Sequence, residues 1–278
     1  SKQSSFNKEN KMYQIVFSDV DGTLLNDQHQ MTPLTQQSII WLHNKQIPFV
    51  IVSARSPSGI FPIMEENHFK SHLIAYSGAL IMDEYRHILY EKGMKTSLAM
   101  LIIQKLNAMN ITWCVYSFDQ WYVQNRQDEK IQREENIVKA QSQEASLDDL
   151  LSLPVVHKIL CICRPNQTLI VEKQLKKDFP QLTIVKSSDI LIEIMEQGIN
   201  KAQAVKQLCQ LWNISVQKAV AFGDQYNDLD MLLEVGYGWA MGNAPKEIKK
   251  QVKYATLDNN HDGIHYALNN MNDEGKKI

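Results

Sequence analysis

The 278-residue chain has four cysteines, and no two are spaced as Cys-x-x-Cys. That excludes a zinc ribbon and a thioredoxin-like redox motif. Cys161 and Cys163 lie two apart in the apolar run from Ile159 to Cys163. On a strand both point to one face, and they read as core rather than as ligands or a disulfide. A reducing cytoplasm is the expected setting. The eight histidines are scattered without metal-ligand spacing. Net charge is also scarce: 29 Lys and Arg against 31 Asp and Glu leave −2. That balance argues against an electrostatic binder of nucleic acid or membrane surface. No apolar run approaches the roughly 20 residues that a membrane-spanning helix needs. Residues 1–12 are polar and lack the apolar segment of a signal peptide, so a disordered tail is expected there. Repeats and low-complexity segments are absent from the sequence.

The 44% hydrophobic and 22% charged composition is that of an ordinary globular protein, long enough for one large domain or two. Short apolar runs alternate with amphipathic ones. Strands are expected at 13–18, 48–53, 73–76, 219–222 and 239–241. A helix opening at Thr32-Pro33 is expected to turn Ile39, Ile40, Trp41 and Leu42 inward. Strands that are apolar on both faces and separated by helices imply a parallel sheet covered on both sides. The middle differs: a hairpin at 82–90, a helix at 97–109, an alternating aromatic run at 112–124, then a polar stretch at 127–152. Further strands are expected at 155–163, 182–186 and 190–195, with a helix over 168–179. The expected organisation is a discontinuous core, 13–84 and 190–278, with an α+β insert at 85–189.

Four places could carry chemistry. Asp19-Val20-Asp21-Gly22-Thr23 follows the first buried strand, and ligands of open parallel sheets sit at the carboxyl ends of strands. Two carboxylates one residue apart would point the same way or be splayed by the turn at Gly22. They read either as solvated turn acids or as a nucleophile with its acid/base neighbour. Gly223-Asp224-Gln225-Tyr226-Asn227-Asp228 ends another strand, with Leu229, Leu232 and Leu233 expected inward on the helix behind it. Asp228 alone could be a first-turn residue favoured by the helix dipole. If both loops share one sheet edge, Asp19, Asp21, Asp224 and Asp228 converge, and four acids do not all ionise cheaply without a cation. Oxygen ligands with no soft donor select Mg²⁺. Lys201 follows Asn200, a candidate cap for a helix with Val205, Leu208, Cys209 and Trp212 inside. A lysine there opposes the helix dipole unless carboxylates or a phosphate lie beside it. Ser53-Ala54-Arg55 ends the second strand, where a hydroxyl and backbone amides can hold a phosphate oxygen or merely cap a turn.

These four, in this order, resemble the haloacid dehalogenase (HAD) phosphatase superfamily over essentially the whole chain after the tail. Its motifs are matched by Asp19 to Thr23, by Ser53, by Lys201 and by Gly223 to Asp228. The long insert between the second and third motifs is similar to the Cof-type, subclass IIB branch, as are Met241-Gly-Asn-Ala244 and Asp262-Gly263. Ala54, Ser77 and Ala202 depart from that branch, which usually has glycine, asparagine and glycine there. None of the three removes a catalytic side chain.

The resemblance implies a Rossmann-like parallel core with an inserted α+β cap, and an Mg²⁺-dependent phosphatase for a small phosphorylated metabolite. It implies that Asp19 attacks phosphorus and that Asp21 serves first as acid and then as base. Mg²⁺ would be held by Asp19, the Asp21 backbone carbonyl and Asp224, with Asp228 orienting the site behind them. Phosphate oxygens would be met by Lys201, Ser53, Asn227 and the backbone N–H groups of Val20 and Ala54. The cap is implied to select the substrate. Its run from Thr112 to Tyr122 could offer aromatic surface to a ring or could pack the cap itself. The rivals are a phosphomutase of related fold and a catalytically silent HAD-like binding module.

Overall fold

The computed structural model describes residues 12–271. The chain forms two compact units, one of the residues up to Val52 together with those from Lys201 onward, the other Ser53–Asn200. These divisions differ from the 85–189 bounds expected for the insert. Residues 1–11 of the expected tail lie outside the described residues.

Strand β1 (Ile15–Ser18) and strand β2 (Phe49–Val52) are buried along their whole length, with helix α1 (Pro33–Asn44) between them. Thr32 caps α1 by accepting the Thr35 N–H, and Pro33 stands where a missing N–H costs nothing. The buried face is Thr35, Ser38, Ile39 and Leu42. Ile40 and Trp41, expected inside, are exposed. The apolar run of four is wider than one stripe, and 35, 38, 39, 42 is the spacing a single helix face allows.

The Ser53–Asn200 unit begins with helix α2 (Pro57–Glu66) and strands β3 (His72–Ala75), β4 (Leu80–Met82) and β5 (Ile88–Glu91), which pair antiparallel in that order. Helix α3 (Thr96–Ala108) follows, then the hairpin β6 (Thr112–Ser117) and β7 (Gln120–Val123). The polar stretch contains α4 (Glu129–Val138), β8 (Gln143–Glu144) and α5 (Leu147–Leu151). Strand β9 (Lys158–Ile162), helix α6 (Thr168–Asp178) and strands β10 (Thr183–Lys186) and β11 (Leu191–Met195) complete the unit. The order β10-β11-β9-β6-β7-β8 makes a six-stranded sheet, antiparallel except for β7 with β8. Alternation along β9 sends Ile159 and Cys161 into a cluster with Ile103 and Leu106 of α3 and Leu175 of α6. Lys158 and Leu160 take the other face. All four cysteines are free and buried.

The first unit resumes with α7 (Lys201–Leu211), β12 (Ala219–Gly223), α8 (Leu229–Glu234), β13 (Tyr237–Ala240), α9 (Lys246–Gln251), β14 (Tyr254–Ala255) and α10 (Gly263–Asn270). Its strands run β14-β13-β12-β1-β2, every pairing parallel. This is a Rossmann-like α/β arrangement with helices between its strands. Helix α8 buries Met231 and Leu232, whereas Leu233 is exposed and Leu229 half-buried. Its approach to β13 depends on Gly238, where a Cβ would meet the Leu232 carbonyl oxygen at 1.9 Å. Among the described residues no helix is long and apolar enough to cross a membrane.

The aromatic run of the hairpin is mostly core. Trp121 is 1% exposed and stacks on Tyr116 with ring centroids 5.6 Å apart. Tyr122 is half-buried against the helix-side cluster. Truncating Trp121 to alanine should therefore cost about 3–5 kcal/mol. Leu169→Ala, at a position 67% exposed, should change stability by no more than about 0.5 kcal/mol. Chemical denaturation of the two variants checks the contrast; a Trp121→Ala midpoint equal to wild type would remove Trp121 from the core.

Candidate active site

The register Ser18↔Phe222 aligns the carboxyl ends of β1 and β12. Asp19 N–H donates to the Phe222 carbonyl at 3.0 Å, so Asp19 leaves β1 where Asp224 leaves β12. The chain then turns sharply. Leu24 N–H reaches the Asp19 carbonyl at 3.2 Å and Leu25 N–H the Val20 carbonyl at 3.0 Å. Gly22 sits at φ +75°, and a Cβ there would lie 2.2 Å from Asp224 Oδ2. Only glycine permits both that backbone and that approach. The turn splays the two acids of the first motif. Asp19 is buried, whereas the Asp21 side chain is 48% exposed with His29 Nδ1 at 3.8 Å.

Lys201 opens α7 and is 1% exposed. Its Nζ donates to Asp19 Oδ1 at 3.0 Å and to Asp228 Oδ1 at 2.6 Å. Asp228 Oδ2 accepts the backbone N–H groups of Asp224 at 2.9 Å and Gln225 at 3.0 Å. Both oxygens of this fully buried carboxylate are thus committed, and it shapes the loop that carries Asp224. A Cβ on Gly223 would come 2.5 Å from that of Asp228, so the loop closes only with glycine. Thr23 Oγ1 donates to Asp224 Oδ1 at 2.9 Å, and Asn243 Nδ2 to the Gly22 carbonyl at 2.9 Å. Sequence reasoning quoted Thr23 and Asn243 but gave neither a role. Their positions inside the two motif-like segments were the only signal.

Oxygens of Asp19, Asp224 and Asp228 lie within 4.8 Å of one another. With both oxygens of Asp228 committed, Asp19 and Asp224 are the carboxylates that would hold a cation. The set is oxygen-only, which fits Mg²⁺. Burial, then the charge of Asp228, holds Asp19 well above the usual carboxylate range against the pull of Lys201. The same two causes raise Asp224 to about 7. Burial disfavours the Lys201 ammonium, but Asp19 and Asp228 outweigh it and hold its pKa above the usual lysine value.

The other expected phosphate-binding residues are placed as follows. Val20 is buried in the first turn, and Asn227 is half-buried in the turn Tyr226–Asp228. In the Ser53–Asn200 unit, Ser53 N–H donates to the Ile74 carbonyl at 2.9 Å and its carbonyl accepts Ser77 N–H at 2.8 Å. Its Oγ accepts Arg55 N–H at 3.0 Å. Ala54 is half-buried, and its carbonyl accepts Lys158 Nζ.

A raised carboxyl pKa has a sign. In metal-free protein, folded Asp224 keeps its proton up to about pH 7, whereas the unfolded chain loses it near 3.8. The folded state then binds more protons between those values, so this group's contribution to stability falls as pH rises through that window. In chelator, wild type should lose stability relative to Asp224→Asn between about pH 4 and 7. Parallel melting curves across that range would refute the buried, protonated Asp224.

The haloacid dehalogenase-like hydrolase family model matches residues 16–268. A Haemophilus influenzae protein, provisionally named a phosphatase, is 35% identical over 262 residues, covering 92% of this chain and 97% of its own. A haloacid dehalogenase-like hydrolase from Bacteroides thetaiotaomicron superposes with a TM-score of 0.85 at 26% identity, covering 94% of this chain and all of that one. A HAD subclass IIB sugar phosphatase shares the fold, with a TM-score of 0.80 at 18% identity over 91% of this chain and 96% of its own. The chain belongs to the haloacid dehalogenase-like hydrolase family and is a phosphatase.

Proposed function

We propose that the chain hydrolyses a phosphate monoester of a small metabolite, a sugar phosphate or a cofactor phosphate, through a phosphoaspartate on Asp19 and with Mg²⁺ bound. The observation that carries this reading is Asp19 itself: a buried carboxylate at a strand end, charge-paired with buried Lys201 and next to Asp224. An Asp19 oxygen attacks phosphorus, the alkoxide leaves, and Asp21 gives it a proton. Asp21 then takes a proton from the water that cleaves the acyl phosphate, returning Asp19. The exposure of the Asp21 side chain suits a group that must exchange protons with leaving group and water. Lys201 offsets anionic charge, with Asn227, Ser53 and the N–H groups of Val20 and Ala54 as donors to the non-bridging oxygens. Mg²⁺, held by Asp19, Asp224 and the Asp21 carbonyl, supplies charge neutralisation when bound. Asp228 keeps Lys201 and the Asp224 loop in place. The 85–189 segment is the cap of this reading and selects the substrate. The sugar phosphatase of similar fold makes sugar phosphates the first class to assay.

Asp19→Asn should abolish phosphate release from a panel of phosphorylated metabolites while the protein still melts cooperatively; turnover within tenfold of wild type would sink the nucleophile. Asp21→Asn should lose about 10²–10⁴-fold. Exhaustive chelation should remove activity, with Mg²⁺ restoring it better than Ca²⁺, whose larger shell suits an octahedral site poorly. Transfer of phosphate to a second sugar position without release would point to a mutase instead.

A further inference from the structure

Lys158, at the start of β9, is a buried cation of the Ser53–Asn200 unit that the proposed chemistry leaves unused. It is 3% exposed and stands on the sheet face opposite the helix-packed cluster. Glu193 Oε1, from β11 on the same face, lies at 3.6 Å, and the Tyr116 ring lies 4.6 Å below the ammonium. A buried lysine with one loosely set carboxylate is costly in stability terms. Its short contact goes elsewhere: Nζ donates to the Ala54 carbonyl oxygen at 2.5 Å.

That carbonyl belongs to the Ala54–Arg55 peptide. The N–H of the same peptide donates to Ser53 Oγ at 3.0 Å. The chain of contacts therefore reads ammonium, carbonyl, amide N–H, hydroxyl oxygen. A cation on a peptide carbonyl draws electron density from the amide nitrogen and makes its N–H a stronger donor, and linked hydrogen bonds polarise one another in this way. Ser53 Oγ, already accepting, directs its own proton away from Arg55. That proton has no acceptor among the described residues. The hydroxyl is thus set as a donor, and the charge behind it makes the donor stronger. The turn is fixed on its other side too, by Tyr76 N–H on the Arg55 carbonyl at 3.0 Å and Ser77 N–H on the Ser53 carbonyl at 2.8 Å. Tyr76 and Ser77 both hold φ near +50°, a backbone cost that persists only where surroundings impose it.

We infer that Lys158 is a positioning residue for phosphate: through the Ala54–Arg55 peptide it orients and strengthens the Ser53 hydroxyl as a donor to an anionic oxygen. The inference rests on the proposed role of Ser53 and adds a residue some hundred positions away in sequence, on a different sheet.

A double-mutant cycle tests it, read by the inhibition constant of inorganic phosphate and by KM and kcat separately. Lys158→Met is made together with Glu193→Gln, so that no buried carboxylate is left without its cation, and Glu193→Gln alone is the reference. Removing Lys158 should weaken phosphate inhibition by about tenfold and lower kcat/KM by a similar factor, with cooperative melting above assay temperature. With Ser53→Ala in the background, the same change should weaken phosphate by less than about twofold, because the group Lys158 acts through is gone. Lys158→Arg, which keeps a buried donor, should retain most of the phosphate affinity. Equal losses in both backgrounds would overturn the relay, as would an unchanged inhibition constant in the folded Lys158→Met, Glu193→Gln protein. If that protein does not melt cooperatively, Lys158→Arg and Lys158→Gln decide by the same cycle. Ser53→Ala with unaltered phosphate inhibition would instead sink the role of Ser53, whatever Lys158 does.

Discussion

The buried ammonium of Lys201 is the interaction on which the acid cluster depends. Asp19, Asp224 and Asp228 crowd within a few ångströms of one another in an interior that raises the carboxyl pKa of Asp19 and Asp224. One cation, bonded to two of them, makes the arrangement tolerable. The cost falls on the lysine, which gives up water and stands in the first turn of α7, where the helix dipole repels it. Both penalties are offset by the carboxylates at 3.0 and 2.6 Å. Removing either side of such a set leaves a buried charge without its partner, typically about 3–5 kcal/mol. Lys201 and the acids therefore stand or fall together. The contact also joins residues 182 positions apart, so the first unit can close only after the intervening segment has been made.

Backbone follows from that electrostatic constraint. For Asp224 to lie against the first turn, position 22 must lack a Cβ and adopt positive φ. For Asp228 to receive two N–H groups of its own loop, position 223 must lack one as well. These are the glycines of the Asp19–Thr23 and Gly223–Asp228 segments. Their reason is close approach of carboxylates rather than flexibility.

How much of this could be read from residues alone varies with the kind of order involved. The strands around the site were legible because four or five consecutive apolar residues ending at an acid have few other uses. The α7 face at Val205, Leu208 and Cys209 was legible from spacing and is buried as expected, whereas Trp212, the fourth residue of that spacing, is half-buried just beyond the helix end. Consecutive apolar residues were harder. Ile40, Trp41 and Leu233 look like core by type, yet helix geometry turns them outward once their neighbours at i−1 or i+1 have claimed the inner face. The splaying of Asp19 and Asp21 was an open alternative in the sequence and is decided by Gly22 at φ +75°. The link between Lys158 and Ala54 had no sequence signal, because a lysine at a strand start is ordinarily a solvated end. Long-range pairing of single side chains is what pattern reading cannot reach.

The division of labour along the chain follows from where the charges are. Asp19, Asp21, Lys201, Asp224 and Asp228 all belong to the unit built on the parallel sheet. Their distances are set by β1, β12 and α7, whose cores tolerate little change. The Ser53–Asn200 unit carries none of these acids, and its six-stranded sheet has its own apolar cluster. Substitutions on its exposed or half-buried surface therefore leave the charge balance of the acid cluster undisturbed. Within that unit the short Ser53–Arg55 turn is held by backbone bonds to the Tyr76–Ser77 segment and by Lys158. A turn braced in that way keeps its geometry while the surface beyond it varies.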